Sequence, residues 1–255
     1  MKKLLITIFV FFIWSAISFA QQYEPEASFH ISLIEDGRAV QIDRYIGSNS
    51  IVNIPPQIQG LPVTSIGMRA FANNQLINIT IPNSVVNIGN SAFYENILDT
   101  VIIPNSVTDI GEYAFGANHL TSVTISNSVI SIGHNAFTRN RLRSIYIPDS
   151  VTYIGVNAFG RNYLTSLIIP ESVTYIGEAA FSNNDITTVI IPDSIREIRN
   201  FTFENNPLTS ITLGANVELS IYAFPYSFIS LYNDQGRRAG TYIFSYGLWQ
   251  LSIIN

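Results

Sequence analysis

The sequence predicts a mainly β solenoid of about eight stacked 22-residue coils with short parallel strands, capped at both ends. Three observations predict it. A block close to L-T-S-V-x-I-P-x-S-V-x-x-I-G-x-x-A-F-x-x-N-x recurs along the middle of the chain, and a fixed beat of this length marks units that stack on one another. Its Ile-Gly dipeptide falls at Ile66-Gly67, Ile88-Gly89, Ile110-Gly111, Ile132-Gly133, Ile154-Gly155 and Ile176-Gly177, each 22 residues after the last, and Ile198-Arg199 keeps the count. Within a unit, Ile145 and Ile147 flank Tyr146, which is the alternation of a strand with one buried face.

The elements follow in chain order. Residues 1–20 read as a signal peptide: Lys2 and Lys3, an apolar run from Leu4 to Trp14, then Ser18 and Ala20 before a cut ahead of Gln21. The apolar run is shorter than the roughly 20 residues that cross a bilayer, so no stable transmembrane segment is expected after cleavage. Residues 21–47 form an N-terminal cap, in which Ala39-Val40-Gln41-Ile42 alternates like a strand lying over the first coil. Residues 48–224 form the solenoid, opening with an irregular copy at Ile51-Val52-Asn53-Ile54-Pro55. Residues 225–255 form the C-terminal cap, read as strand-like Phe228 to Tyr232 and Gly240 to Ser245 around a Gln235-Gly236 turn, with Tyr242, Phe244, Tyr246 and Trp249 as covering aromatics.

Three columns run through the repeats. Phe71, Phe93, Phe115, Phe137, Phe159, Phe181, Phe203 and Phe224 read as a buried spine, because a fixed ring beside a fixed alanine is what packing demands. The asparagine three residues after each Phe but the last, from Asn74 to Asn206, reads as an amide ladder bonding the backbone of its own turn and of a neighbouring coil. The repeated glycine supplies either a positive backbone angle or a close approach at the bend. One 22-residue unit buries too little apolar surface to offset the entropy of ordering it, so only stacking stabilises the rod. Eight coils at strand spacing make a stack roughly 38 Å long. The pattern decays at Arg199, Phe201-Thr202 and Gly214, as a terminus should.

These residues place the chain beside a known family. The core I-P-x-S-V-x-x-I-G-x-x-A-F, seen from Ile81 to Phe93 and five times more with small changes, resembles that of the BspA-like, treponemal-type leucine-rich repeat proteins of bacterial surfaces. The likeness covers roughly Ile51 to Phe224. The chain departs from the pattern in carrying Asn where many members have Cys after the Phe, and in using 22 residues per unit where about 23 is common. The resemblance implies a leucine-rich repeat solenoid and a non-enzymatic role in adhesion or display at the cell surface.

Composition narrows the function. With 13 basic and 18 acidic residues the chain carries -5 charges, and loss of Lys2 and Lys3 with the signal leaves -7, which offers no attraction for nucleic acid. There is no cysteine, hence no disulfide framework, thiolate metal site or lipid-modified N-terminus. His30, His119 and His134 share no ligand spacing, and neither G-x-S-x-G nor a phosphate-cradling loop occurs. No catalytic, cofactor or metal residue is assigned.

Binding is the better reading. The outward strand column runs Thr80, Ile102, Thr124, Tyr146, Ile168, Ile190 and Thr212 beside hydroxyls such as Ser144 and Ser166. Arg139, Arg141, Arg143 and Arg161 cluster in two coils with Tyr146, Tyr153, Tyr163 and Tyr175, and Arg and Tyr are common interface anchors. The partner-binding candidates are therefore Arg139, Arg141, Arg143, Tyr146, Arg161, Tyr163, Ile168 and Ile190. The expected partner is a protein of the host matrix or of another cell surface; the alternative is a passive structural or carbohydrate-associated surface component.

Overall fold

A computed structural model describes residues 22–252; the expected signal peptide lies outside them. The coils stack as the repeat requires. The Ile-Gly strands form one continuous parallel ladder in which Leu61–Ile66, Asn87–Ile88, Asp109–Ile110, Ser131–Ile132, Tyr153–Ile154 and Tyr175–Ile176 pair in succession. Strand Ala39–Tyr45, which contains the alternating Ala39 to Ile42, pairs parallel with Leu61–Ile66 and antiparallel with Phe29–Ile34. It therefore covers the first coil with a hairpin.

The glycines hold the ladder together by lacking a side chain. None of Gly67, Gly89, Gly111, Gly133, Gly155 and Gly177 has positive φ; instead a β-carbon at Gly133 would lie 2.6 Å from the Ile110 carbonyl of the preceding coil. Close approach, not a special angle, is what selects glycine here. The left-handed residues flank the Phe: Tyr113, Asn135 and Asn157 two before it, and Ala117, Arg139 and Arg161 two after, all near φ 53–59°. Asparagine tolerates this region best among side-chain-bearing residues.

Inside, the Phe column is a stack, with ring centroids 5.0 Å apart for Phe93–Phe115 and 5.5 Å for Phe137–Phe159. Tyr45 extends it at one end, 5.4 Å from Phe71, and Phe228 closes the other edge-on, 5.1 Å from Phe224. The amide ladder runs beside it. Asn140 donates Nδ2 to the carbonyls of Phe115 and Phe137 at 2.9 and 3.1 Å, and its Oδ1 accepts the Leu120 N–H at 3.0 Å. From Asn96 onward, the neighbour each amide reaches is the preceding coil.

Two sequence expectations need correction. Phe228 to Tyr232 lies in an α-helix, Tyr226–Asp234, not a strand. Pro225 precedes it, a residue favoured at helix starts, and the buried set Phe228, Ile229 and Tyr232 follows the helical spacing of three to four residues rather than two. The second correction falls on Ser144 to Tyr146, which keeps Tyr146 out and Ile147 in but joins no ladder. With a second break between Asn78–Thr80 and Thr100–Ile102, the outward side is three sheets: Ile51–Asn53 with Asn78–Thr80, Thr100–Ile102 with Ser122–Thr124, and Ser166–Ile168 with Thr188–Ile190 and Ser210–Leu213. The last continues antiparallel into the cap strands Gly240–Ser245 and Leu248–Ser252.

The inner ladder also ends where glycine does. Arg199 stands at the next bend, Glu197–Ile198 pairs with Glu218–Leu219 alone, and Tyr175–Ile176 has no onward partner among the described strands. A β-carbon at the equivalent Gly177 would run into the Val156 backbone nitrogen of the preceding coil, so a side chain at this bend opposes the close pairing the ladder needs. The Arg199 side chain lies over the Tyr175 ring at 4.9 Å and pairs with Glu197 at 3.0 Å.

Candidate functional site

The solenoid divides the candidate residues among different sides of the coil. On the outward sheet side, Tyr146, Ile168 and Ile190 are 66%, 76% and 50% exposed. Ile168 and Ile190 are register partners, as are Ser166 and Thr188 below them, so the face is a row of aliphatic side chains edged by hydroxyls. Arg143 is exposed at the head of the coil that carries Tyr146, and its carbonyl accepts the Thr165 N–H at 3.2 Å. Arg141 and Tyr163 occupy the same position in successive coils and are both exposed. All six residues are exposed.

Arg139 and Arg161 are placed differently. Each sits one residue before the buried amide of its coil, Asn140 or Asn162. Both line a groove of about 490 Å³ at the Ala-Phe corner, with Tyr94, Tyr113 and Phe201. Tyr94 there titrates above its ordinary value because burial disfavours the phenolate and Glu95 adds to this, while the nearby Arg139 opposes the shift. Tyr153 and Tyr175, grouped with the arginines in the sequence, lie instead on the inner ladder. They stack at 4.7 Å, and the Tyr153 hydroxyl meets His134 Nε2 at 2.8 Å. Burial raises the Tyr153 pKa, Tyr175 and Glu112 add to it, and Arg199 works against them.

Sequence reasoning missed the groove. The residue after each Phe runs Ala72, Tyr94, Gly116, Thr138, Gly160, Ser182, Glu204. Four small side chains between two large ones hollow out a trough. Among the described residues no three His, Asp or Glu side chains gather as a metal set, and no helix there is long and apolar enough to cross a membrane.

The repeat, its coil length and the stacked Phe and Asn columns agree with a match of the family model for the BspA type leucine rich repeat region, in six copies over residues 48–164 and 154–246. The chain belongs to the BspA-type leucine-rich repeat family. Members of this BspA-type family are repeat binding proteins. Among solved structures, a leucine-rich repeat protein of T. pallidum is 25% identical, with a TM-score of 0.56 over 84% of this chain and 96% of that one. A leucine-rich repeat protein from Bacteroides ovatus is 23% identical, TM-score 0.52, over 75% of this chain and 65% of that one. The pneumococcal vaccine antigen PcpA is 20% identical, TM-score 0.53, over 76% of this chain and 51% of its own. The last two show the fold alone. A search of curated proteins returned no match.

Proposed function

We propose that this BspA-type chain is an exported, non-enzymatic protein-binding module, an adhesin or interaction protein of the cell surface, docking through the outward side around Arg143 and Tyr146. The observation that carries the reading is that Tyr146, Ile168 and Ile190, the same position of three successive coils, are each at least half exposed. Large apolar side chains held in water in a row by a rigid scaffold favour burial against a partner. Arg141, Arg143 and Tyr163 add cationic and aromatic anchors at its edge. The residue pattern of 1–20 supports export, with the mature chain starting at Gln21; cell fractionation with an antibody to residues 21–255 checks it.

The docking test uses purified residues 21–255 on immobilised matrix proteins. Replacing Arg141, Arg143 and Tyr146 by Ala is expected to weaken saturable binding at least roughly tenfold with the melting temperature nearly unchanged, since all three are exposed. Binding that survives the triple change discards the face as the docking site.

A further inference from the structure

The groove at the Ala-Phe corner has a chemistry of its own. We propose that it binds an acidic oligosaccharide, with the sugar carboxylates held by Arg139 and Arg161. This stands apart from the sheet-side reading and shares no residue with its test.

The shape comes first. The floor repeats coil by coil, because Tyr113, Asn135, Asn157, Ala179 and Phe201 are the same position of five successive units. Gly116, Thr138, Gly160 and Ser182 keep the centre low, and Tyr94 and Glu204 wall the two ends. A trough with the period of the coil, about 4.8 Å per step, suits a ligand that is itself a chain of similar units.

The polar groups favour sugar over peptide. Asn135, Asn157 and Asn183 line the trough with side-chain amides, which donate and accept as sugar hydroxyls do, while the buried Thr138 hydroxyl is spent on the Gly160 carbonyl. Asn157 Nδ2 donates to Asn135 Oδ1 at 2.7 Å and Thr138 Oγ at 3.0 Å. The Asn135 amide nitrogen and the Asn157 amide oxygen make no hydrogen bond among the described residues. A peptide added as a strand along the trough needs free main-chain groups, and the corner has spent its N–H groups: Asn135 on Val156, Asn157 on Glu178, Arg139 on Gly160 and Arg161 on Ser182, all at 2.8–3.0 Å.

Charge and rings complete the fit. Arg139 and Arg161 repeat at one-coil spacing and form no ion pair among the described residues, so two guanidiniums wait for carboxylates carried at intervals. Phe201 is 36% exposed and braced by Tyr222 at 5.1 Å, while Tyr113 is 39% exposed and held edge-on by Tyr94 at 5.7 Å. Such fixed rings offer flat surfaces to the C–H faces of a pyranose.

The test is calorimetric titration of residues 21–255 with oligogalacturonate, its carboxyl-reduced neutral counterpart and a polyglutamate peptide. The variant is Arg139→Asn with Arg161→Asn. Both sites have positive φ, 55° and 59°, and the next coils already carry asparagine there at Asn183 and Asn205, so the fold should persist and the melting temperature stay put. Saturable oligogalacturonate binding, weakened at least about tenfold by the double change or by carboxyl reduction and untouched by Arg143→Ala with Tyr146→Ala, supports the proposal. Absence of binding, binding indifferent to the two arginines, loss in the sheet-side variant instead, or tighter binding of polyglutamate overturns it.

Discussion

Asn140 makes four hydrogen bonds with one amide: to Phe115, Phe137 and Thr138 carbonyls, and from the Leu120 N–H. Asn74, at the head of the column, donates to Ala72 alone and reaches no earlier coil. Asn140→Ala should therefore cost about 3 kcal/mol or more, since it strands buried backbone groups in two coils, whereas Asn74→Ala should cost under about 1 kcal/mol. Denaturant melts of the two variants check this, and equal losses would refute the ladder's inter-coil role. The column was legible because the side chain recurs every 22 residues beside a Phe. The glycine's task was not, because a positive angle and a close approach select the same residue, and only the neighbouring coil tells them apart. The groove's signal, small residues at four successive coils, was in the same repeat but reads as packing until the corner has depth.

Between elements, one side chain decides whether ladders join. Arg199 replaces the bend glycine, and the strands on either side of it belong to different sheets. Arg199→Gly should let Glu197–Ile198 pair with Tyr175–Ile176, so that the amide of residue 199 becomes bonded as that of Gly177 is to Ile154 at 2.8 Å. Hydrogen exchange at that amide should slow at least roughly tenfold; unchanged exchange would mean that the separation has another cause. The sequence showed the substitution but not its reach. It equally hid the helix Tyr226–Asp234, because Phe228-Ile229-Ser230-Leu231-Tyr232 is a short, mostly apolar run that period alone cannot assign to strand or helix. Nothing in the neighbouring side chains explains why Ser144 to Tyr146 leaves the outward ladder.

Across the whole molecule, the fully buried titratable side chains of the described residues sit at the ends, whereas Tyr94 and Tyr153 in the middle are only half-buried. Among the described residues Glu24 is the one buried charge, and the buried tyrosines are Tyr45, Tyr232 and Tyr242, all in the caps. Burial, helped by Glu24, pushes Tyr45 up to about 12, and burial likewise raises Tyr232 and Tyr242 above the ordinary tyrosine value of 10.0. A folded pKa above the unfolded one means stability that is fully present below pH 10.0 and lost as pH rises through the folded values. The caps should thus release before the coils on alkaline titration. Trp249, buried 5.2 Å from Phe228 and the one tryptophan of residues 21–255, reports the C-terminal end. Its fluorescence should change between pH about 10 and 12 ahead of far-ultraviolet circular dichroism. Coincident transitions would show that ends and middle melt together. That a cap was needed followed from the decaying repeat, but its chemistry was visible only once the tyrosines were seen indoors.

Because every regular coil offers its neighbours the same two surfaces, a stretch of 22 residues copied in frame within the run adds a storey without touching either roof. Length in such a chain is a freely inherited variable. Each added storey would repeat the exterior at a fixed pitch, so the number of contacts a rod can make with an extended polymer is set by how often its gene has stuttered.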